Sequence, residues 1–143
     1  MKRLFLASTL LLAASQAGAA TLVVDLFDSS DEAAPPFKTV RCDVPMCGAD
    51  GLMPIDGAQT PVVFAVRAEA DGRLSVQMAR GTSLRYELRP VKGDSLRLGD
   101  ARQLAQLVRL HARETRDGLL DDDLVARQDP VQPPFWVKAR IER

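Results

Sequence analysis

The stretch VVFAVRAEADGRLSVQMARG, residues 62–81, decides the fold that the sequence predicts. Apolar residues alternate with polar or small ones from Val62 to Glu69 and again from Leu74 to Ala79, as in strands that bury one face only. The dipeptide Asp71-Gly72 lies between the two runs and favours a two-residue hairpin turn. We therefore expect two antiparallel strands, with Gly72 at positive φ.

The same alternation continues beyond this hairpin. It returns over residues 84–89 and, after the turn Lys92-Gly93-Asp94, over residues 96–98. Four successive strands with tight connections predict an antiparallel meander. One face is apolar, and the other carries Arg67, Glu69, Gln77, Arg85, Glu87, Arg89 and Arg97.

Further strands are predicted near both ends of the chain. Residues 22–27 and 37–42 are rich in strand-forming side chains, and residues 135–142 alternate again. Residues 43–61 contain three prolines and three glycines, which predicts an irregular segment.

The hydrophobic period changes at Asp100. Asp100 and Gln103 have the spacing of a capping box. The apolar residues that follow share one side of a helix that would end near Gly118, namely Ala101, Leu104, Leu107, Val108 and Ala112. The predicted fold class is therefore α+β: an antiparallel meander of about five to six strands with one amphipathic helix packed on it. A small β-barrel or sandwich with one helix is the alternative.

The first nineteen residues have the pattern of a cleavable signal peptide. Met1-Lys2-Arg3 is basic, residues 4–14 are apolar, and Ala17-Gly18-Ala19 matches a signal peptidase site. The apolar stretch is shorter than the ~20 residues that span a bilayer. We expect a signal peptide over residues 1–19, a single exported α+β domain over residues 20–143, and a periplasmic or secreted location in a bacterial envelope.

The two cysteines and the charge balance limit the possible functions and partners further. In an exported chain, Cys42 and Cys47 are expected to form one disulfide, because their spacing differs from that of thiol oxidoreductases.

The chain has 19 basic and 19 acidic residues, so removing Lys2 and Arg3 leaves 17 against 19 and a net charge of −2. Nucleic acid is therefore not an expected partner.

No residue pattern in the chain predicts a catalytic, metal or cofactor site. The single histidine, His111, lies on the apolar side of the predicted helix, where a structural role is expected, although a role in function stays open. Asp121-Asp122-Asp123 lacks the ligand spacing of a calcium loop and is expected to be a solvated turn, with cation binding left open.

Four arginines form the candidate partner-binding site. Arg102, Arg109, Arg113 and Arg116 would form a stripe on the predicted helix, opposite its apolar side. Arginine binds carboxylate and phosphate well. The predicted partner is therefore an envelope or secreted protein, or an anionic envelope component, with no membrane span in the chain.

The function predicted from these features is an exported, non-enzymatic binding or interaction module. Two alternatives stay open. One is an inhibitor or immunity-type protein that blocks a hydrolase, with the Cys42–Cys47 loop and Pro45 protruding. The other is an enzyme with an unrecognised site, built around His111.

Overall fold

The computed structural model describes residues 20–43, 46–82, 84–110, 128–131 and 133–143. These residues form strands and contain no helix. The strands are β1 (Thr21–Phe27), β2 (Lys38–Asp43), β3 (Met46–Ile55), β4 (Ala58–Ala68), β5 (Arg73–Arg80), β6 (Leu84–Pro90), β7 (Leu96–Arg97), β8 (Gln103–Leu110), β9 (Gln128–Pro130) and β10 (Phe135–Glu142).

Eight of these strands form a nearly closed, barrel-like antiparallel sheet in the order β2-β1-β10-β8-β6-β5-β4-β3. The short strands β7 and β9 lie off this path and pair with β5 and β8. The meander predicted from residues 62–89 corresponds to β4, β5 and β6, which pair in sequence. The strand predicted over residues 96–98 is the exception, because Leu96 pairs with Leu74 of β5 rather than with β6.

Side chains close the gap between β2 and β3. No backbone ladder joins these two strands in the described part of the chain. Instead, Cys42 and Cys47 form a disulfide with a Cα–Cα distance of 5.4 Å, as predicted. Further along the gap, the Lys38 ammonium donates to the Asp50 carbonyl at 3.0 Å. We call this gap the seam.

The interior of the barrel is filled by apolar side chains, as in other eight-stranded barrels whose lumen is just wide enough for them. Every strand of the eight-strand path contributes to this core. Its most deeply buried members include Leu22, Leu26, Val40, Met53, Phe64, Val76, Met78, Tyr86, Leu107 and Val137.

Two hairpin turns show which parts of the turn prediction are right and which are wrong. Gly72 has φ +83°, as expected. However, Glu69 and Arg73 flank a three-residue loop, because the Glu69 N–H donates to the Arg73 carbonyl at 2.8 Å. The two-residue turn is found elsewhere, at Asp56-Gly57, where both residues have positive φ.

The prediction of an irregular segment over residues 43–61 is wrong, since most of its described residues belong to β3 and β4. Pro54 fits into β3 because of the direction in which its nitrogen points. The Asp50 carbonyl points into the seam, and Pro54, four residues later on the same strand, has the same orientation. Pro54 therefore removes no hydrogen bond from the ladder with β4.

The predicted fold class, α+β with one helix, is also wrong, and so is the alternative in so far as it included a helix. Residues 103–110 form β8, which pairs with β6, β9 and β10. Both faces of β8 are at least half-buried, so apolar residues follow no simple alternation. Gln103 does not cap a helix: its side-chain oxygen accepts from the Arg97 N–H at 2.9 Å, and its amide nitrogen donates to the Arg97 carbonyl.

Candidate binding cleft on the outside of the sheet

Strand β1 is buried on both faces, which is unusual in this sheet. Leu22, Val24 and Leu26 point into the barrel, so Val23, Asp25 and Phe27 point outward. In the ladder with β10, Phe27 lies opposite Trp136, Asp25 opposite Lys138, and Val23 opposite Arg140. We call these six outward residues the covered face.

The Asp25 carboxylate is the centre of a polar cluster on this face. One of its oxygens accepts from the Thr39 hydroxyl at 2.6 Å, and the other accepts from the Arg140 guanidinium. The side chain of Asp25 is 11% exposed. The hydrogen bond to Asp25 raises the pKa of Arg140 above its usual value, so the guanidinium is held in its charged form.

A chain of ion pairs borders the buried Val23. Val23 lies between Arg41 of β2 and Arg140 of β10 in the two ladders. Both guanidiniums pair with the Glu142 carboxylate, Arg140 at 2.8 Å. The aliphatic parts of these two arginines can therefore cover the valine while their charged ends stay at the surface.

Arg102 fastens the loop of residues 28–37 at the other end of the covered face. Its guanidinium lies 3.6 Å above the centre of the Phe27 ring. It donates to three backbone carbonyls of that loop, those of Asp31 at 2.6 Å, Glu32 at 2.7 Å and Ala34 at 3.1 Å. These acceptors are neutral, so the charge of Arg102 is not cancelled by a carboxylate.

A cleft of about 540 Å³ lies between the covered face and the loops beside it. Its floor and walls come from β1, β10 and Arg102, and its rim comes from two loops. The lining residues are Asp25, Phe27, Ser30, Glu32, Asp100, Ala101, Arg102, Trp136, Lys138 and Arg140. We call it the outer cleft.

Lys138 is the lining residue whose charge is most available to a ligand. Asp25 lies opposite it in the ladder, but the carboxylate of Asp25 is occupied by Thr39 and Arg140. Within the residues that the structure describes, Lys138 has no hydrogen-bond or ion-pair partner. Trp136 lies two residues away on the same face and is half-buried. An ammonium and an aromatic surface are therefore presented side by side.

The outside of β3 and β4 has a different character. Leu52 and Val63 are 53% and 52% exposed, and Pro61 and Ala65 are exposed on the same side of the sheet. No loop covers them among the described residues, and their alternation with buried neighbours is regular. We call the outward residues Asp50, Leu52, Pro61, Val63 and Ala65 the bare face.

The predicted arginine stripe is only partly within the described residues. Arg102 precedes β8 and holds the 28–37 loop, and Arg109 lies on β8 with its guanidinium 3.7 Å from Asp56. Arg113 and Arg116 lie outside the described residues, as do His111, Pro45 and Asp121 to Asp123. The helical spacing that defined the stripe does not exist between Arg102 and Arg109. Partner binding by these four residues stays a prediction.

Sequence reasoning did not single out Asp25, Trp136 and Lys138. A signal for each was present, since Asp25 is the single charge in the apolar run of residues 22–27. The alternation over residues 135–142 also placed Trp136, Lys138 and Arg140 on one face. What the sequence could not show is that β1 and β10 are neighbours.

Comparisons with protein families, with curated proteins and with solved structures find no match for this chain.

In the described ranges, no helix has the length and apolar character needed to cross a membrane. The same ranges contain no group of three or more His, Cys, Asp or Glu side chains placed to hold a metal ion.

Proposed function

We propose that this protein is an exported, non-enzymatic binding module that takes an anionic ligand into the outer cleft. The observation that carries the proposal is the Lys138 ammonium, which lines the cleft without a partner in the described part of the chain. The ligand would be an anionic component of the envelope or an acidic group of another molecule there.

The charges around Lys138 support an anionic ligand. Asp25, the carboxylate nearest in the ladder, is neutralised by Arg140, and Arg102 adds a positive charge bound only to neutral carbonyls. The floor residues Asp25, Arg102, Lys138 and Arg140 therefore carry a net positive charge, while Glu32 and Asp100 add two negative charges at the rim. A cleft with low-dielectric walls strengthens the attraction for a ligand of opposite charge.

Two further observations favour binding over catalysis. The pKa of Asp71 is lowered by its hydrogen bonds to Arg73, and the pKa of Arg140 is raised by its hydrogen bond to Asp25. Both shifts stabilise the charged form, whereas a general acid or base needs a pKa near the working pH. The lining side chains of Asp25, Arg102 and Arg140 are also fixed by their partners, which suits a preformed binding site.

Export is part of the proposal and rests on the N-terminal sequence. The Cys42–Cys47 disulfide is compatible with an oxidising compartment outside the cytoplasm. N-terminal sequencing of protein recovered from the envelope should begin at Ala20 or Thr21. Recovery of the chain with Met1 still attached would contradict export by cleavage.

The binding proposal is tested with the dye 8-anilinonaphthalene-1-sulfonate, which combines one anionic group with aromatic rings. We expect saturable one-to-one binding to the mature protein, measured by dye fluorescence at constant ionic strength. Lys138→Gln should weaken binding at least tenfold, because it removes the cation from the cleft. The matched control is Lys92→Gln, which removes an exposed lysine from the turn between β6 and β7.

The outcome that contradicts the proposal is equally specific. If the dye does not bind, or if Lys138→Gln and Lys92→Gln leave the same affinity, the outer cleft is not an anion-binding site. Circular dichroism of both variants checks that the fold is intact, which we expect because Lys138 makes no contact that the fold needs.

A further inference from the structure

We infer that the ligand of the outer cleft is a monocarboxylate carried on an apolar body, an inference that rests on the proposed function. Three features of the cleft lead to this class: the number of free cations on its floor, the acids on its rim and the aromatic wall beside Lys138.

The floor offers a single point charge rather than a guanidinium fork. The guanidinium of Arg140 is taken by Asp25 and Glu142, and that of Arg102 by three carbonyls and the Phe27 ring. An arginine binds phosphate through two parallel N–H···O hydrogen bonds, which requires a guanidinium whose donors are free. Lys138 is the cation on the floor whose N–H donors have no partner in the described part of the chain, so the floor can hydrogen-bond one anionic group through this ammonium.

The rim disfavours a second negative charge. Glu32 and Asp100 line the cleft with exposed carboxylates. A phosphate dianion would bring its extra charge toward these carboxylates, and like charges repel. A monocarboxylate leaves the rim acids free to accept hydrogen bonds from N–H groups of the ligand.

The wall favours a ligand with apolar surface behind its carboxylate. Trp136 is half-buried and lies two residues from Lys138 on the same face of β10. The volume of about 540 Å³ is far larger than an inorganic ion needs and lies in the range of sites that hold small organic molecules. Aromatic side chains supply much of the apolar contact area in such sites.

Two sources present this chemistry: the C-terminus of a peptide and a free organic acid. Both place a single carboxylate at the end of an apolar body. A peptide adds backbone N–H groups, which could reach the acids of the rim.

The test measures displacement of the dye and the change in Trp136 fluorescence, which is specific because the chain has one tryptophan. The probes are acetyl-Ala-Leu-Phe with a free carboxylate, the same peptide with a C-terminal amide, 3-phenylpropionate and inorganic phosphate. We expect the free-carboxylate peptide to bind at least tenfold more tightly than the amide. Phosphate should not displace the dye at the same concentration.

Lys138→Gln should abolish the difference between acid and amide, whereas Lys92→Gln should preserve it. If 3-phenylpropionate matches the peptide, the source is a small acid, and if it is weaker, the source is a peptide terminus. Equal binding of acid and amide, or tighter binding of phosphate, would overturn the inference. Lys138-dependent binding of the dye would then still leave the proposed function standing.

Discussion

The outward residues of β1 and those of β4 occupy equivalent positions in the sheet, yet their surroundings are opposite. Val23 on β1 is fully buried, whereas Val63 on β4 is 52% exposed. Val23 lies between Arg41 and Arg140, whose guanidiniums both pair with Glu142, whereas Val63 lies between Asp50 and Ala79 in its two ladders.

This contrast bears on where the proposed ligand would bind. The interior is filled with side chains, so a ligand has to bind on the outside or at an end. Only a covered region of the outside can hold charged groups in fixed, partly desolvated positions. In the residues that the structure describes, the covered face combines fixed ion pairs with a free ammonium and a cleft.

The largest expected effect comes from truncating the same residue type on each face. Val23→Ala should lower the free energy of unfolding by about 2 kcal/mol, because it removes two buried methyl groups and leaves a cavity. Val63→Ala should change it by less than about 0.5 kcal/mol. Urea unfolding of both variants measures the difference, and equal effects would mean that the two faces do not differ as described.

A second pair of variants examines the seam beside the bare face. At Gly51, an added Cβ would lie 2.6 Å from Cε2 of the buried Phe64 ring and 2.8 Å from Cε of Lys38. Gly51→Ala should therefore destabilise the fold by about 1–2 kcal/mol, near the lower end of the usual cost of overpacking.

The matched control for the seam is Gly48→Ala on the same strand. Its added Cβ would meet the Phe64 carbonyl at 3.5 Å, which is an ordinary contact. This variant should be much milder in the same urea experiment. A Gly51→Ala variant as stable as Gly48→Ala would show that the Phe64 ring does not pack tightly against Gly51.

A smaller effect is expected at the loop that borders the outer cleft. Arg102→Met removes three hydrogen bonds to the 28–37 loop and the contact with Phe27, and should cost about 1–2 kcal/mol. Arg67→Met, which breaks an exposed pair with Glu69, should cost less than about 0.5 kcal/mol.

Hydrogen exchange then distinguishes a loop anchor from a general stabiliser. In Arg102→Met, the Ala34 amide, which bonds the Asp31 carbonyl within the loop, should exchange faster. Amides in the β4–β5 hairpin should keep their protection once the global loss of stability is subtracted. Uniform acceleration throughout the sheet would contradict a local role.

The smallest effect concerns Asp71 at the exposed β4–β5 turn. The hydrogen bond from the Arg73 N–H is the main cause that lowers the pKa of Asp71 below 3.8. A lowered pKa stabilises the fold above the unfolded pKa, and this contribution is lost as the pH falls through the folded pKa.

Comparing Asp71→Asn with the unchanged protein tests this turn. The variant should have the lower Tm at pH 6, and the gap in Tm should narrow as the pH falls through the lowered pKa of Asp71. A gap that stays constant or widens on acidification would contradict the lowered pKa.

The same contrast between faces decides which strands can be predicted from the sequence. Strands β4, β5 and β6 could be read from alternation because one face is wet, and the disulfide from the spacing of Cys42 and Cys47. Strand β8 could not, because its two faces are both at least half-buried and its residues favour a helix in isolation. Tertiary pairing with β6 and β10 decides its conformation.

The outer cleft could not be predicted from the sequence for a related reason. Asp25 and Arg140 are 115 positions apart, and no local pattern indicates that their strands pair. The sequence predicted Arg102 on a helix surface, but its guanidinium donates to carbonyls of the 28–37 loop. Once the neighbours are known, the alternation in residues 135–142 explains why Trp136 and Lys138 share the cleft.

The most direct test of the central claim is to map where the anionic dye binds by following backbone amide shifts in ¹⁵N-labelled mature protein. The account predicts saturable shifts in β1 and β10, largest near Asp25, Trp136 and Lys138, with those at Val63 and Ala65 unchanged. Shifts concentrated on Leu52, Val63 and Ala65 would place binding on the bare face and contradict the account.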